Sequence, residues 1–146
     1  MIDMRTQPFS NKGFSFIEVM IALAIMAALV AIALPTYINY LSATKKTSAK
    51  SNCSEAQRFV SSELAKRAAS LAGVTTDAIA DLNGGGKRSP YAGNDNIPAF
   101  GDTLDKGVVR LSKTNLQALS VGDNVTIECE WSGDDVADSI YYLTVE

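Results

Sequence analysis

Hydrophobic and polar positions fall along this chain in three regimes. From Val19 to Leu34 no residue is charged and none is more polar than methionine. Phe14–Leu34 counts 21 residues, which as a helix spans about 31 Å and crosses the hydrocarbon core of a bilayer. Glu18 interrupts the front of this run. A carboxylate at the centre of such a segment costs on the order of 2.5–3.5 kcal/mol. One turn from the end Glu18 costs less, yet still asks for a partner. An ordinary secretory signal has a shorter apolar core and a small-residue cleavage site after it, and neither is present. A plain single-span anchor fits length and hydropathy, with Glu18 reaching back to the interface.

Past Pro35 the pattern changes to one apolar stripe on a polar helix. Leu41, Thr44, Ala49, Cys53, Ala56, Val60, Leu64, Ala68 and Leu71 recur mostly at three- and four-residue spacings. Pro35 removes one backbone donor, so a kink or loosened turn near Ala31–Pro35 is expected and not a stop. Tyr37 and Tyr40 stand where an aromatic belt meets a membrane surface. Gly73 is the expected C-cap, so the spacing predicts one helix of nearly 60 residues.

The third regime alternates. Val108–Leu111, Val125–Trp131 and Ile140–Val145 read as antiparallel strands. In the middle one Val125, Ile127, Cys129 and Trp131 are expected inward, and Thr126, Glu128 and Glu130 outward. The amphipathic helix around Cys53–Leu71 is the natural cover for that face. Between helix and strands, Asn83–Pro90, Gly93–Asn96 and Gly101–Asp102 carry loop chemistry. Gly86-Lys87 does not complete a phosphate-binding loop, since Asp81 and Arg88 stand where glycine and Ser or Thr are needed. The expected fold class is α+β, a long helix packed on a small antiparallel sheet.

Charge and composition narrow the chemistry. The chain has 13 basic and 16 acidic residues, a net charge of −3, and no histidine. Nothing is basic enough for a general nucleic-acid binder, and histidine-based triads and most zinc sites are excluded. No catalytic residue and no cofactor is predicted. Asp134, Asp135 and Asp138 are weak calcium candidates, equally a solvated turn without the spacing of a calcium loop. From Pro35 on, 112 residues remain, enough for one modest core. Arg5 and Lys12 favour a cytoplasmic N-terminus, while Lys45, Lys46 and Lys50 partly cancel that signal.

The run Gly13-Phe14-Ser15-Phe16-Ile17-Glu18, with the leader before it and the apolar run after it, resembles the processing site of type IV prepilins. The resemblance covers roughly the first 40 residues. It implies cleavage by a membrane peptidase between Gly13 and Phe14, N-methylation of Phe14, and Glu18 as fifth residue of the mature chain. It divides the chain into a leader (1–13), a transmembrane and assembly helix (14–35), an amphipathic continuation (36–72), a connecting loop region (73–106) and a sheet (107–146), the head being 36–146.

The implied partners are further copies of this chain in a helical polymer, the prepilin peptidase and the pilus assembly machinery. The precursor is expected in the inner membrane and the product in an extracellular filament serving adhesion, twitching motility or DNA uptake. Glu18 is expected to pair with the Phe14 amine of a neighbour, or with its own, and Pro35 falls where many family members kink. The small side chains Ala22, Ala24, Ala27, Ala28, Ala31 and Ala33 allow close helix approach.

The chain departs from the pattern at Ser15 and Phe16, where threonine and leucine are commoner, and at Ala27, where glycine often opens a stretched segment. An extracytoplasmic head permits a disulfide between Cys53 and Cys129; two buried free thiols are the alternative. That pairing differs from members whose disulfide brackets a C-terminal loop. A type II secretion pseudopilin, a minor pilin, and a membrane-anchored DNA-binding module using Lys87 and Arg88 are the alternative functions. An electron-conducting filament through Phe14, Phe16, Tyr37, Tyr40 and Phe59 is a further one.

Overall fold

A computed structural model describes residues 13–93, 95–132 and 136–146. The chain divides into two compact units, residues 1–40 and 41–146.

The described part of the first unit belongs to helix α1, Phe16–Ala68, after three non-helical residues. The Ser15 carbonyl accepts from the Glu18 and Val19 N–H groups at 3.0 and 3.3 Å, which places Ser15 at the N-cap position. The helix continues through Pro35. Every described side chain of this unit is exposed, so among the described residues none covers its apolar surface.

The second unit holds the rest of α1, helix α2 (Ala78–Leu82), and strands β1 (Phe100–Gly101), β2 (Val109–Leu111), β3 (Asn124–Cys129) and β4 (Ser139–Thr144). The strands form one sheet in the order β1-β2-β3-β4. β2, β3 and β4 pair antiparallel, whereas β1 joins β2 in parallel through Phe100↔Val109. The sheet is therefore mixed and not purely antiparallel as expected. The two-residue run at β1 is too short to carry an alternation signal, and Gly101 reads as a turn.

Ala49, Cys53, Ala56 and Val60 on α1 are buried as the stripe predicts. Cys53, Ala56 and Val60 share one core with Phe100, Val109, Leu111, Leu116, Val125, Ile127 and Cys129. Three of the four buried stripe positions are Ala or Cys. The ends of the stripe are not used: Leu41, Ala68 and Leu71 are exposed.

Two expectations fail at element ends. α1 closes at Ala68, and Gly73 is not its cap. Ser70 takes φ 54°; its N–H bonds the Arg67 carbonyl (2.8 Å) and the Leu71 N–H bonds Lys66 (2.9 Å). That is the double bond pattern of a left-handed helix terminator, with serine in the glycine position. At the other end of the core, β3 stops at Cys129, so the alternation lapses. Glu130, expected outward, is 1% exposed, while Trp131, expected inward, is half-buried and packs against the core.

The region expected as a plain connector, 73–106, contains α2, β1 and the bridge Arg88↔Pro98. Asp77 caps α2 by accepting from the Ala80 N–H at 3.1 Å. Asn83 closes the outer edge of β1: its Oδ1 accepts from the Phe100 N–H (3.2 Å) and its Nδ2 donates to the Phe100 carbonyl (2.8 Å). Glu63, buried on α1, accepts from the Thr75 N–H (2.9 Å) and pairs with Lys66. Arg67 donates to the carbonyls of Leu116 (2.9 Å), Gln117 (3.1 Å) and Leu119. These side chains fasten the long connections to the helix.

Candidate processing and assembly segment

The segment that the sequence singles out is the junction before α1. Gly13, Phe14 and Ser15 are non-helical and exposed, Phe14 at 82%. The Gly13–Phe14 peptide is thus outside the helical hydrogen-bond ladder. A Cβ built on Gly13 would meet nothing within 4 Å. Among the described residues no packing requires glycine there.

Glu18 stands four residues after Phe14 and three after Ser15, in the first turn of α1. It is exposed, and among the described residues no cation pairs with it. Around it stand Ile17, Val19, Met20 and Ile21, each at least 46% exposed. Transfer of this surface out of water is favourable by roughly 25 cal/mol per Å². Transfer of the lone carboxylate opposes that unless a positive group accompanies it.

In the second unit, Cys53 and Cys129 are bonded, with Cα atoms 6.0 Å apart. Of the two readings left open for these cysteines the disulfide is the one found. Asp138 Oδ2 accepts from the N–H groups of Trp131 (2.6 Å) and Ser132 (2.9 Å), so its carboxylate clamps the β3–β4 connection. Asp134 and Asp135 lie outside the described residues, and no metal-binding group of three acidic, His or Cys residues occurs among those described.

The basic pair of the alternative DNA-binding reading is partly occupied. Lys87 forms an ion pair with Glu55 and lies 5.8 Å from the Phe100 ring centre. Other lysines also sit over rings. Lys45 and Lys106 flank Tyr91 at 5.9 and 5.0 Å, and Lys50 covers Trp131 at 5.1 Å. Burial, and then the charges of Glu130 and Asp138, push the Tyr91 phenol above its ordinary pKa. Sequence spacing had no means of finding these cross-chain contacts, nor the buried Glu63.

Residues 9–34 match the family model of the prokaryotic N-terminal methylation motif. Over 51 residues the chain is 43% identical to the type IV major pilin protein PilA of Myxococcus xanthus (strain DK1622). That match takes in 34% of this chain and 23% of the relative, so the chain spans under a quarter of that relative's length. No solved structure matches the chain. The chain is thus similar to type IV pilins over this motif and this stretch, and its long helix and small sheet form a pilin-like α+β arrangement.

Proposed function

We propose that this chain is the structural subunit of a type IV pilus. It is cut between Gly13 and Phe14 by a prepilin peptidase, methylated on the Phe14 amine, and held in the inner membrane through 14–35. It then polymerises into a surface filament through that same helix. The observation that carries this reading is the exposed apolar surface of α1 with one carboxylate, Glu18, that no described cation pairs, a single turn from the proposed new amine. Lipid covers such a surface before assembly and neighbouring copies cover it afterwards. Cleavage supplies the positive group that Glu18 lacks among the described residues, and the pairing sets the register at which a subunit joins. Removal of Asp3, Arg5 and Lys12 leaves 11 basic and 15 acidic residues, a net −4 before the new amine is counted.

The similarity to a protein named as a major pilin supports a major subunit over a minor pilin or pseudopilin. Adhesion, twitching motility and DNA uptake are the filament tasks such a subunit serves, and the Lys87–Glu55 pair argues against a dedicated DNA contact at Lys87.

The test is Glu18→Ala. The variant is expected to be shortened and inserted normally, with no filament in the sheared surface fraction. Normal filaments from it would remove the register role. Gly13→Ser is expected to leave full-length precursor in the membrane, and a normally shortened product would refute the cut site.

A further inference from the structure

Of the asparagines in this chain only Asn83 is followed by glycine. That pair is chemically labile in any polypeptide. Glycine has no Cβ to shield its backbone nitrogen, which can therefore close on the carbonyl carbon of the asparagine side chain. The fold holds both residues in place all the same. A Cβ on Gly84 would lie 2.9 Å from the Asp81 carbonyl oxygen, so no larger residue fits there without a shift. Asn83 is fixed by its work at the β1 edge. Its Nδ2 donates to the Phe100 carbonyl and its Oδ1 accepts from the Phe100 N–H, a combination that an amide offers and a carboxylate does not.

Three hydrogen bonds keep the pair unreactive while the edge is closed. Two are those of the Asn83 amide, and the third is donated by the Gly84 N–H to the Asp81 carbonyl at 3.1 Å. None of them is deep in the core, since Asn83 is half-buried and Gly84 is exposed. β1 is two residues long, and Gly85 and Gly86 follow at φ 84° and 73°. Short, exposed elements of this kind open locally at a free energy below that of global unfolding. Opening here requires only that the Asn83 side chain turn from Phe100 and the Gly84 N–H leave Asp81.

We propose that Asn83 is a site of spontaneous deamidation, gated by this opening, and that the product does not reclose the edge. In the open state the Gly84 nitrogen gives its proton to solvent and attacks Asn83 Cγ. The new N–Cγ bond closes a five-membered succinimide, the Cγ–Nδ2 bond breaks, and the nitrogen leaves as ammonia with a proton returned from solvent. Water then opens the ring at one of its two carbonyls, giving aspartate or isoaspartate with no change of oxidation state. Aspartate sets an oxygen without a proton against the Phe100 carbonyl, so that acceptor loses its donor. Isoaspartate also lengthens the backbone by one methylene at the residue that ends α2, whose N–H bonds the Ile79 carbonyl at 3.0 Å. Each event adds one negative charge to the head. The site uses no residue of the first unit, so it stands or falls apart from the polymerisation reading.

The test follows every asparagine at once. Purified full-length protein in detergent is kept in warm, mildly alkaline buffer, and peptide mass spectrometry reads amide-to-acid conversion over time. Asn83 is expected to convert at least tenfold faster than Asn96, Asn115 and Asn124, which precede Ile97, Leu116 and Val125. It is expected to convert more slowly than in the same chain unfolded by urea, with isoaspartate appearing beside aspartate. Conversion at Asn83 no faster than at the other three would overturn the site, and a folded rate equal to the rate in urea would overturn the gate. Asn83→Asp reproduces one product directly. It is expected to melt lower than the native protein and to lose at least tenfold of its amide-exchange protection at Phe100. Unchanged melting and unchanged protection would overturn the claim that the edge does not reclose.

Discussion

Cys53 on α1 and Cys129 at the end of β3 are bonded across a sequence separation of 76, joining the helix to the middle of the sheet. Closing a loop of that length removes chain entropy from the unfolded state, about 4 kcal/mol in the simplest account. The double variant Cys53→Ala/Cys129→Ala is expected to lose a stability of that order, measured by denaturant unfolding of detergent-held protein. The pair is buried (3% and 1% exposed), so reductant is expected to act slowly on the folded form.

Glu63 gives the fold an acid dependence. Burial works to raise its pKa, but the Lys66 hydrogen bond, the Thr75 N–H and the Lys66 charge outweigh it. The carboxyl therefore lies below its ordinary value of 4.5. A group lowered by folding contributes stability that is complete above that value and lost as pH falls through the folded pKa. Melting temperature is expected to fall below about pH 4.5 more steeply in the native protein than in Glu63→Gln. Identical acid limbs would contradict this role.

Arg67 holds three carbonyls of the 116–119 segment with one guanidinium. Charge-assisted bonds of this kind contribute about 1.5–3 kcal/mol, and their loss leaves part-buried acceptors unmet. Arg67→Ala is expected to destabilise by about 2 kcal/mol, with proteolysis beginning near Leu116–Leu119. Arg67→Lys restores only part, since an ammonium lacks the fork that reaches all three oxygens.

Ser70 holds the left-handed position that ends α1. Glycine occupies that conformation without the Cβ penalty. Ser70→Gly is expected to raise stability by about 0.5–1 kcal/mol, while Gly73→Ala, at φ 87°, is expected to lower it. A fall in melting temperature for Ser70→Gly would contradict the terminator geometry.

These residues also mark how far the sequence could be read. The apolar run and the buried stripe through Ala49, Cys53, Ala56 and Val60 were legible because periodicity reports burial directly. The strands β2, β3 and β4 were legible for the same reason. The stop of α1 was not, because glycine is the usual signal and a serine does the work here. Glu130 is buried against expectation because alternation holds only while a strand lasts, and β3 ends at Cys129. β1 is held by Asn83 across 17 residues, and Glu63 is matched by a backbone N–H 12 residues on. No local pattern encodes partners at such distances. At the proposed processing junction the reverse holds, since among the described residues nothing packs on Gly13, Phe14 is exposed, and the signal is in the motif.

The central claim is that this motif is used, and the intact mass of native protein from a sheared surface fraction, taken without reductant, tests it most directly. The account predicts the mass of Phe14–Glu146 plus one methyl group and minus two hydrogens, reporting cleavage, methylation and the Cys53–Cys129 bond together. A full-length mass recovered only from membranes would contradict it and leave an anchored domain in place of a filament subunit.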